Sequence, residues 1–144
     1  MSDVSTPELI EAIDYDGKHY AEVIRANARV EKTRFFSPAE SSFQFGLLAH
    51  EAGFIESAHY HRPFSRTIDD LQQMFVVQRG VVAVDLYADD GTKLREVILK
   101  AGDAIVLIHG VHAIRVIEDM QCISVKQGPF LGAEYDKVIV EVAE

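Results

Sequence analysis

"VVAVDLYADDGTKLREVILKAGDAIVL", residues 81–107, decides the architecture. Val82, Val84 and Leu86 recur at every second position, as do Val97 and Leu99. Period-two alternation places such residues on one face of a β-strand. Asp89-Asp90-Gly91 and Ala101-Gly102-Asp103 punctuate the stretch as turns. Upstream, QQMFVVQ leads to Arg79-Gly80, and downstream come AIVLI, HAIRVIE, QCISVKQ and KVIVEV. Toward the N-terminus, LIEAIDY and KHYAEVIR flank Asp16-Gly17, a two-residue hairpin signal. Thr6-Pro7-Glu8 is an alternative helix opening, which leaves residues 6–13 open between helix and strand. VEKTRFF and FQFGLLAH bracket a turn at Ser37-Pro38. Roughly ten short strands without long helical periodicity predict an all-β sandwich or barrel.

The chain has 144 residues, enough for one domain with a sizeable core. Its 14 basic and 23 acidic residues give a net charge of −9, which argues against nonspecific binding to nucleic acid or an anionic membrane. No apolar run reaches the length of a membrane-spanning helix. The opening MSDVSTPELIE lacks the basic and apolar pattern of a secretory signal, so the expected location is cytoplasmic. Cys122 is the only cysteine, which excludes an intrachain disulfide and a cysteine-based zinc cluster. Its setting reads as a small thiol buried in a strand. No phosphate-binding loop, nucleophile elbow or dinucleotide fingerprint occurs. One long polar interruption, RPFSRTIDDLQ at residues 62–72, is the segment where a functional loop is expected.

Chemistry concentrates in "GFIESAHYHRP", residues 53–63. His59 and His61 lie two apart, so in extended backbone both imidazoles face one side, while Tyr60 faces the other. Five residues separate Gly53 from His59, and six separate Gln73 from Gly80. AGDAIVLIHGVH adds Gly102, Gly110 and His112. Taken together these resemble the two motifs of the cupin superfamily, the first carried by Gly53, His59, His61, Gln73 and Gly80 and the second by Gly102, Gly110 and His112. Ile108 stands at the second motif's proline position, and one residue rather than two separates Gly110 from His112. The similarity covers residues 43–128. HYHRP, VILKAGDAIVL, VKQGPFLG and YDK further resemble small bacterial cupins, some of them associated with surface-carbohydrate biosynthesis.

The resemblance implies a cupin-type jelly roll, or double-stranded β-helix barrel. It implies a single domain over residues 1–144, with N-terminal strands in 1–42, a motif core at about 43–128 and a tail at 129–144. It further implies that His59, His61 and His112 bind a divalent metal (Zn, Ni, Fe or Mn), with Gln73 as fourth ligand and a homodimer as the assembly. Imidazole suits zinc, copper, iron and nickel, and three histidines leave a position open for water or substrate. The alternative is a barrel that keeps the scaffold without the metal. Gln73 stands where the family has glutamate; a neutral amide ligates weakly and takes no proton. Metal charge would then go uncompensated, favouring an anionic small-molecule ligand. A register slip would exchange Gln73 for Gln72.

Arg66, Phe75 and His109 are candidates for the substrate pocket. Arg66 is suited to two-point recognition of a carboxylate or phosphate, or else is a solvated loop charge. His109 is either in the site or an exterior turn residue. Phe43, Phe45, Met74, Phe75 and Ile114 are expected to line the barrel. His19 and His50 read as ordinary strand or strand-end residues, and Arg115 as a surface residue. Three functions stay open: a metal-dependent enzyme acting on a small polar molecule (dioxygenase, or isomerase or epimerase), a non-enzymatic binding module, and a metal-free sugar-nucleotide isomerase or epimerase with histidine as base.

Overall fold

The computed structural model describes residues 9–142. They contain eight strands and one helical turn: β1 (Ile10–Tyr15), β2 (Lys18–Ile24), β3 (Arg34–Phe35), β4 (Gly46–Leu47), β5 (Gln73–Tyr87), β6 (Lys93–Lys100), β7 (Ala104–Leu107), β8 (Val111–Lys126) and α1 (Ala133–Asp136). The protein is all-β, and its strands divide between two compact units. One comprises Met1–Ala28 with Gln72–Glu144; the other is Arg29–Leu71.

The larger unit is a curled antiparallel sheet. Its order is β1-β2-β7-β5-β6, with β8 on the other side of β5. The Asp16-Gly17 hairpin forms as expected, with φ of 51° and 75° at its two central residues. The open alternative at residues 6–13 resolves to strand from Ile10 onward, and residues 6–8 lie outside the described part.

Register shows how strongly the sheet curls. Gln73 pairs with Leu107 at one end of β5, and Tyr87 pairs with Val111 at the other. A straight strand of 15 residues would hold those ends roughly 45 Å apart. Residues 107 to 111 span at most about 15 Å of chain. β5 therefore turns a corner, and the local signs sit at its middle. The β5–β8 ladder slips at Val77/Arg79, Arg79/Val81 and Val81/Val82, and Gly80 has φ 86°. A Cβ on Gly80 would lie 2.1 Å from the Asp119 carbonyl oxygen, so only glycine fits the bend. The sequence reading ended a strand at Gly80; the chain instead bends there and continues.

Burial follows the alternation. Val82, Val84 and Leu86 of β5 join Val97 and Leu99 of β6, Ile105 and Leu107 of β7, and Ile13, Ala21 and Val23 of the first hairpin in one apolar cluster. The two ends of the sheet path also meet through side chains. Arg95 of β6 donates to both carboxylate oxygens of Glu11 on β1, at 2.7 and 3.3 Å. HAIRVIE and QCISVKQ, read as separate strands, are one strand, β8. KVIVEV, read as a strand, has no strand partner among the described residues. No described helix is long and apolar enough to cross a membrane.

The smaller unit contains one antiparallel ladder of two residues per strand, in which Arg34 pairs with Leu47 and Phe35 with Gly46. Polar side chains hold much of the rest. The Gln44 amide donates to the carbonyls of Pro38 and Ser41, each at 2.8 Å. Ser42 Oγ donates to Asp70 at 2.8 Å. Residues 48–72 carry no strand, so the irregular segment is longer than the 62–72 loop read from sequence.

Candidate functional site

His59 and His61 lie in that irregular segment rather than on a strand. The rings are nonetheless neighbours, with centroids 5.3 Å apart and planes at 82°. His59 Nδ1 is 2.8 Å from the Ser57 carbonyl oxygen. A carbonyl only accepts, so Nδ1 carries the proton, and in the neutral ring Nε2 holds the free lone pair. Fixing one nitrogen to a backbone carbonyl in this way orients a metal-binding imidazole. Nε2 in turn faces Glu56 Oε2 at 3.5 Å. Glu56 and Ser57 lie in the same short stretch as the pair, three and two residues before His59, a signal the motif reading passed over. Tyr60 is exposed, and so are His59 and His61 themselves.

Within this unit Arg66 stacks its guanidinium on the Phe64 ring, 3.7 Å from the centroid. His50 stacks on Phe54 at 3.9 Å, with the planes 6° apart.

In the larger unit, Gln73 and His112 point to the same face of the sheet. Gln73 is opposite Leu107, and His112 is opposite Leu86, both members of the apolar cluster. Directly opposed residues in an antiparallel pair share a face. The Gln73 amide donates to Ser124 Oγ at 2.9 Å. Lys126, opposite Gln73, forms an ion pair with Asp136 of α1 at 3.0 Å. The next residue, Lys137, acts electrostatically on His112. The Lys126–Asp136 pair thus ties α1 to the end of β8 that lies against Gln73. Desolvation by the surrounding protein, and secondarily the positive Lys137, hold the His112 pKa below its usual value. A neutral imidazole is the form that ligates metal.

Phe75 is half-buried and packs against the apolar cluster, opposite Ile105 and Ser124. Phe45 is buried, while Ile114 is partly exposed on β8. His109 occupies the turn between β7 and β8. Its Nε2 lies 2.9 and 2.8 Å from the two carboxylate oxygens of Asp89, and its ring packs edge-on against Tyr20. That hydrogen bond, reinforced by Lys18, lowers the pKa of Asp89. Arg115 is half-exposed on β8, and it donates to Asp85, a buried carboxylate, through Nε at 2.7 Å. Cys122 is only half-buried, and burial raises its pKa.

Among the described residues, no three His, Cys, Asp or Glu side chains are grouped to hold a metal ion. What the geometry offers is a histidine pair with an oriented ring in one unit and, in the other, a histidine and an amide on the same face of the sheet toward opposite ends of β8. No protein-family model matches the chain, and no curated protein or solved structure matches it either.

Proposed function

We propose that the protein is a metal-binding cupin that holds a small polar, anionic molecule. The observation that carries this reading is the His59–His61 pair, with ring centroids 5.3 Å apart and Nδ1 of His59 committed to a backbone carbonyl. That commitment leaves Nε2 to bind a cation. His112, whose pKa is held low, and Gln73 belong to the other unit and enter the reading only by the resemblance. This donor set of imidazoles and an amide oxygen suits Zn, Ni, Fe or Mn. When bound, such an ion would supply Lewis acidity, or redox chemistry where it is redox-active. Glu56, 3.5 Å from His59 Nε2, offers some of the negative charge that Gln73 lacks. Lys137 adds positive charge near His112, which favours a carboxylate or phosphate on the ligand.

Binding without turnover is the second reading, and Gln73 favours it. An amide that donates to Ser124 is not a proton acceptor, so the base that a cupin glutamate would supply is missing. A histidine-dependent isomerase or epimerase needs no such glutamate, and it predicts full activity after chelation.

Elemental analysis of the purified protein tests the metal. The expected result is about one transition-metal ion per folded chain, lost together with thermal stability in His61→Ala. Metal content unchanged in His59→Ala and His61→Ala would reject the site. Gln73→Glu should retain metal more tightly, because a carboxylate is the stronger oxygen ligand. A screen of keto acids, sugars and sugar nucleotides then separates the enzyme from the binder: product formation marks the enzyme, and saturable binding without product marks the binder.

A further inference from the structure

β1 and β6 end the path of the sheet, and among the described residues neither has a strand on its outer side. Curling brings these two bare edges to opposite sides of a seam, which Arg95 crosses to reach Glu11. Beside that crossing lies a groove of about 370 Å3, walled by residues 12–15 of β1 and 92–95 of β6.

Both walls carry unspent main-chain groups. The Arg25 amide donates to the Leu9 carbonyl at 2.7 Å, and bonding alternates along an antiparallel ladder. Glu11 and Ile13 therefore bond to β2, while Ala12 turns its N–H and C=O to the open side. On β6 the Ala88 amide donates to the Thr92 carbonyl at 2.8 Å. By the same alternation Lys93, opposite Tyr87, turns its own N–H and C=O away from β5.

The groove also carries opposite charges toward its two ends. At one, Glu11 holds the Arg95 guanidinium through two bonds, and the remaining N–H groups of the fork are left for a second carboxylate. Toward the other, exposed Asp14 spends one carboxylate oxygen on His19 and keeps the second. Asp14 is three residues along β1 from Glu11, roughly 10 Å.

We infer that this seam binds a free tripeptide, laid extended between β1 and β6 with its carboxylate on Arg95 and its ammonium on Asp14. An extended chain of three residues spans about 10 Å, so both termini are reached together. Its amide groups meet those of Ala12 and Lys93, the main-chain pairing by which a sheet edge takes up a peptide. Every residue involved belongs to the larger unit, and the inference is independent of the metal reading.

Calorimetric titration of the full-length chain with trialanine tests it. The expected result is saturable binding of one peptide per chain. N-acetyl-trialanine, which lacks the ammonium, and trialanine amide, which lacks the carboxylate, should each bind about tenfold more weakly. L-alanine, too short to span both ends, should show a loss at least as large. Asp14→Asn should weaken trialanine by about tenfold and leave N-acetyl-trialanine unchanged. Should that variant unfold the first hairpin, the capped peptides on the wild type decide. Absence of saturable trialanine binding, capped peptides or L-alanine binding as tightly as trialanine, or a folded Asp14→Asn protein that weakens both peptides equally or neither would each overturn the proposal.

Discussion

The two units of this chain are held together by different physics. In the larger unit, side chains such as Leu99, Ile105 and Val106 have lost all contact with solvent, and the strands register over four to thirteen pairs. In Arg29–Leu71, Phe35, Leu48, Phe54, Ile55, Tyr60 and Phe64 are all exposed, and only two pairs of residues form a ladder. One unit is stabilised by burying apolar area, the other by short-range bonds from side chains such as Gln44, Ser37 and Thr33 to nearby backbone. The histidine pair sits on the second kind of structure, where few contacts resist rearrangement around a ligand. That is a reasonable place for a metal to contribute ordering of its own.

Truncating one apolar side chain in each unit gives the largest contrast. Leu99→Ala removes a fully buried side chain from the cluster and should cost about 2–5 kcal/mol. Ile55→Ala, on a side chain already in water, should stay within about 0.5 kcal/mol. Urea midpoints at matched slope measure both. A cost at Ile55 comparable to that at Leu99 would mean that the smaller unit is packed by apolar burial after all.

A pair of glycine substitutions sharpens the comparison at smaller scale. Gly53 and Gly80 both have positive φ, 94° and 86°. Nothing lies within 4 Å of a Cβ at Gly53, whereas at Gly80 the Asp119 carbonyl would be 2.1 Å away. Alanine at either position meets the left-handed backbone penalty, on the order of 1–2 kcal/mol. At Gly80 the neighbouring strand must also shift, adding roughly 1–3 kcal/mol. Equal losses at the two sites would place the bend of β5 somewhere other than its contact with Asp119.

These contrasts also mark what could be read in the sequence. Alternation at 82, 84, 86, 97 and 99 named the buried face because burial of one sheet face imposes period two. Asp16-Gly17 named the first hairpin because its backbone demands positive φ. Gly80 was visible as a junction, but whether a strand ends or bends there depends on a carbonyl from β8, which is distant in sequence. KVIVEV carries strand propensity, yet pairing needs a partner edge, and propensity does not supply one. The adjacency of His59 and His61 followed from their spacing even without a strand. The contacts around the other candidates did not, because Ser124 and Lys126 reach Gln73, and Asp89 reaches His109, only through the ladder and the turns. The division of the chain at residues 29 and 71 has no composition signal at all.

The smallest effect concerns two histidines of the larger unit with opposite environments. His19 lies between carboxylates, with Nε2 3.0 Å from Glu22 and Nδ1 2.5 Å from Asp14. The Glu22 hydrogen bond, aided by Asp14, raises its pKa above the usual 6.5. His112 is shifted the other way, by desolvation and Lys137. The protonated form of His19 is favoured by folding, so its contribution is full below 6.5 and is lost as pH rises through the elevated folded-state pKa. For His112 the neutral form is favoured. Its contribution is present above 6.5 and is lost as pH falls through the depressed folded-state value. Stability should therefore be greatest near neutrality and decline gently to either side, on top of the carboxylate titrations at lower pH. His19→Gln should remove the alkaline decline and leave the acid one, and His112→Gln the reverse. Urea midpoints from about pH 5 to 9, with imidazole proton shifts followed by NMR in parallel, resolve the two. If both rings titrate at the same pH, the carboxylates do not hold His19 in solution as they do in the folded geometry, and the hairpin that carries them is looser than the sheet behind it.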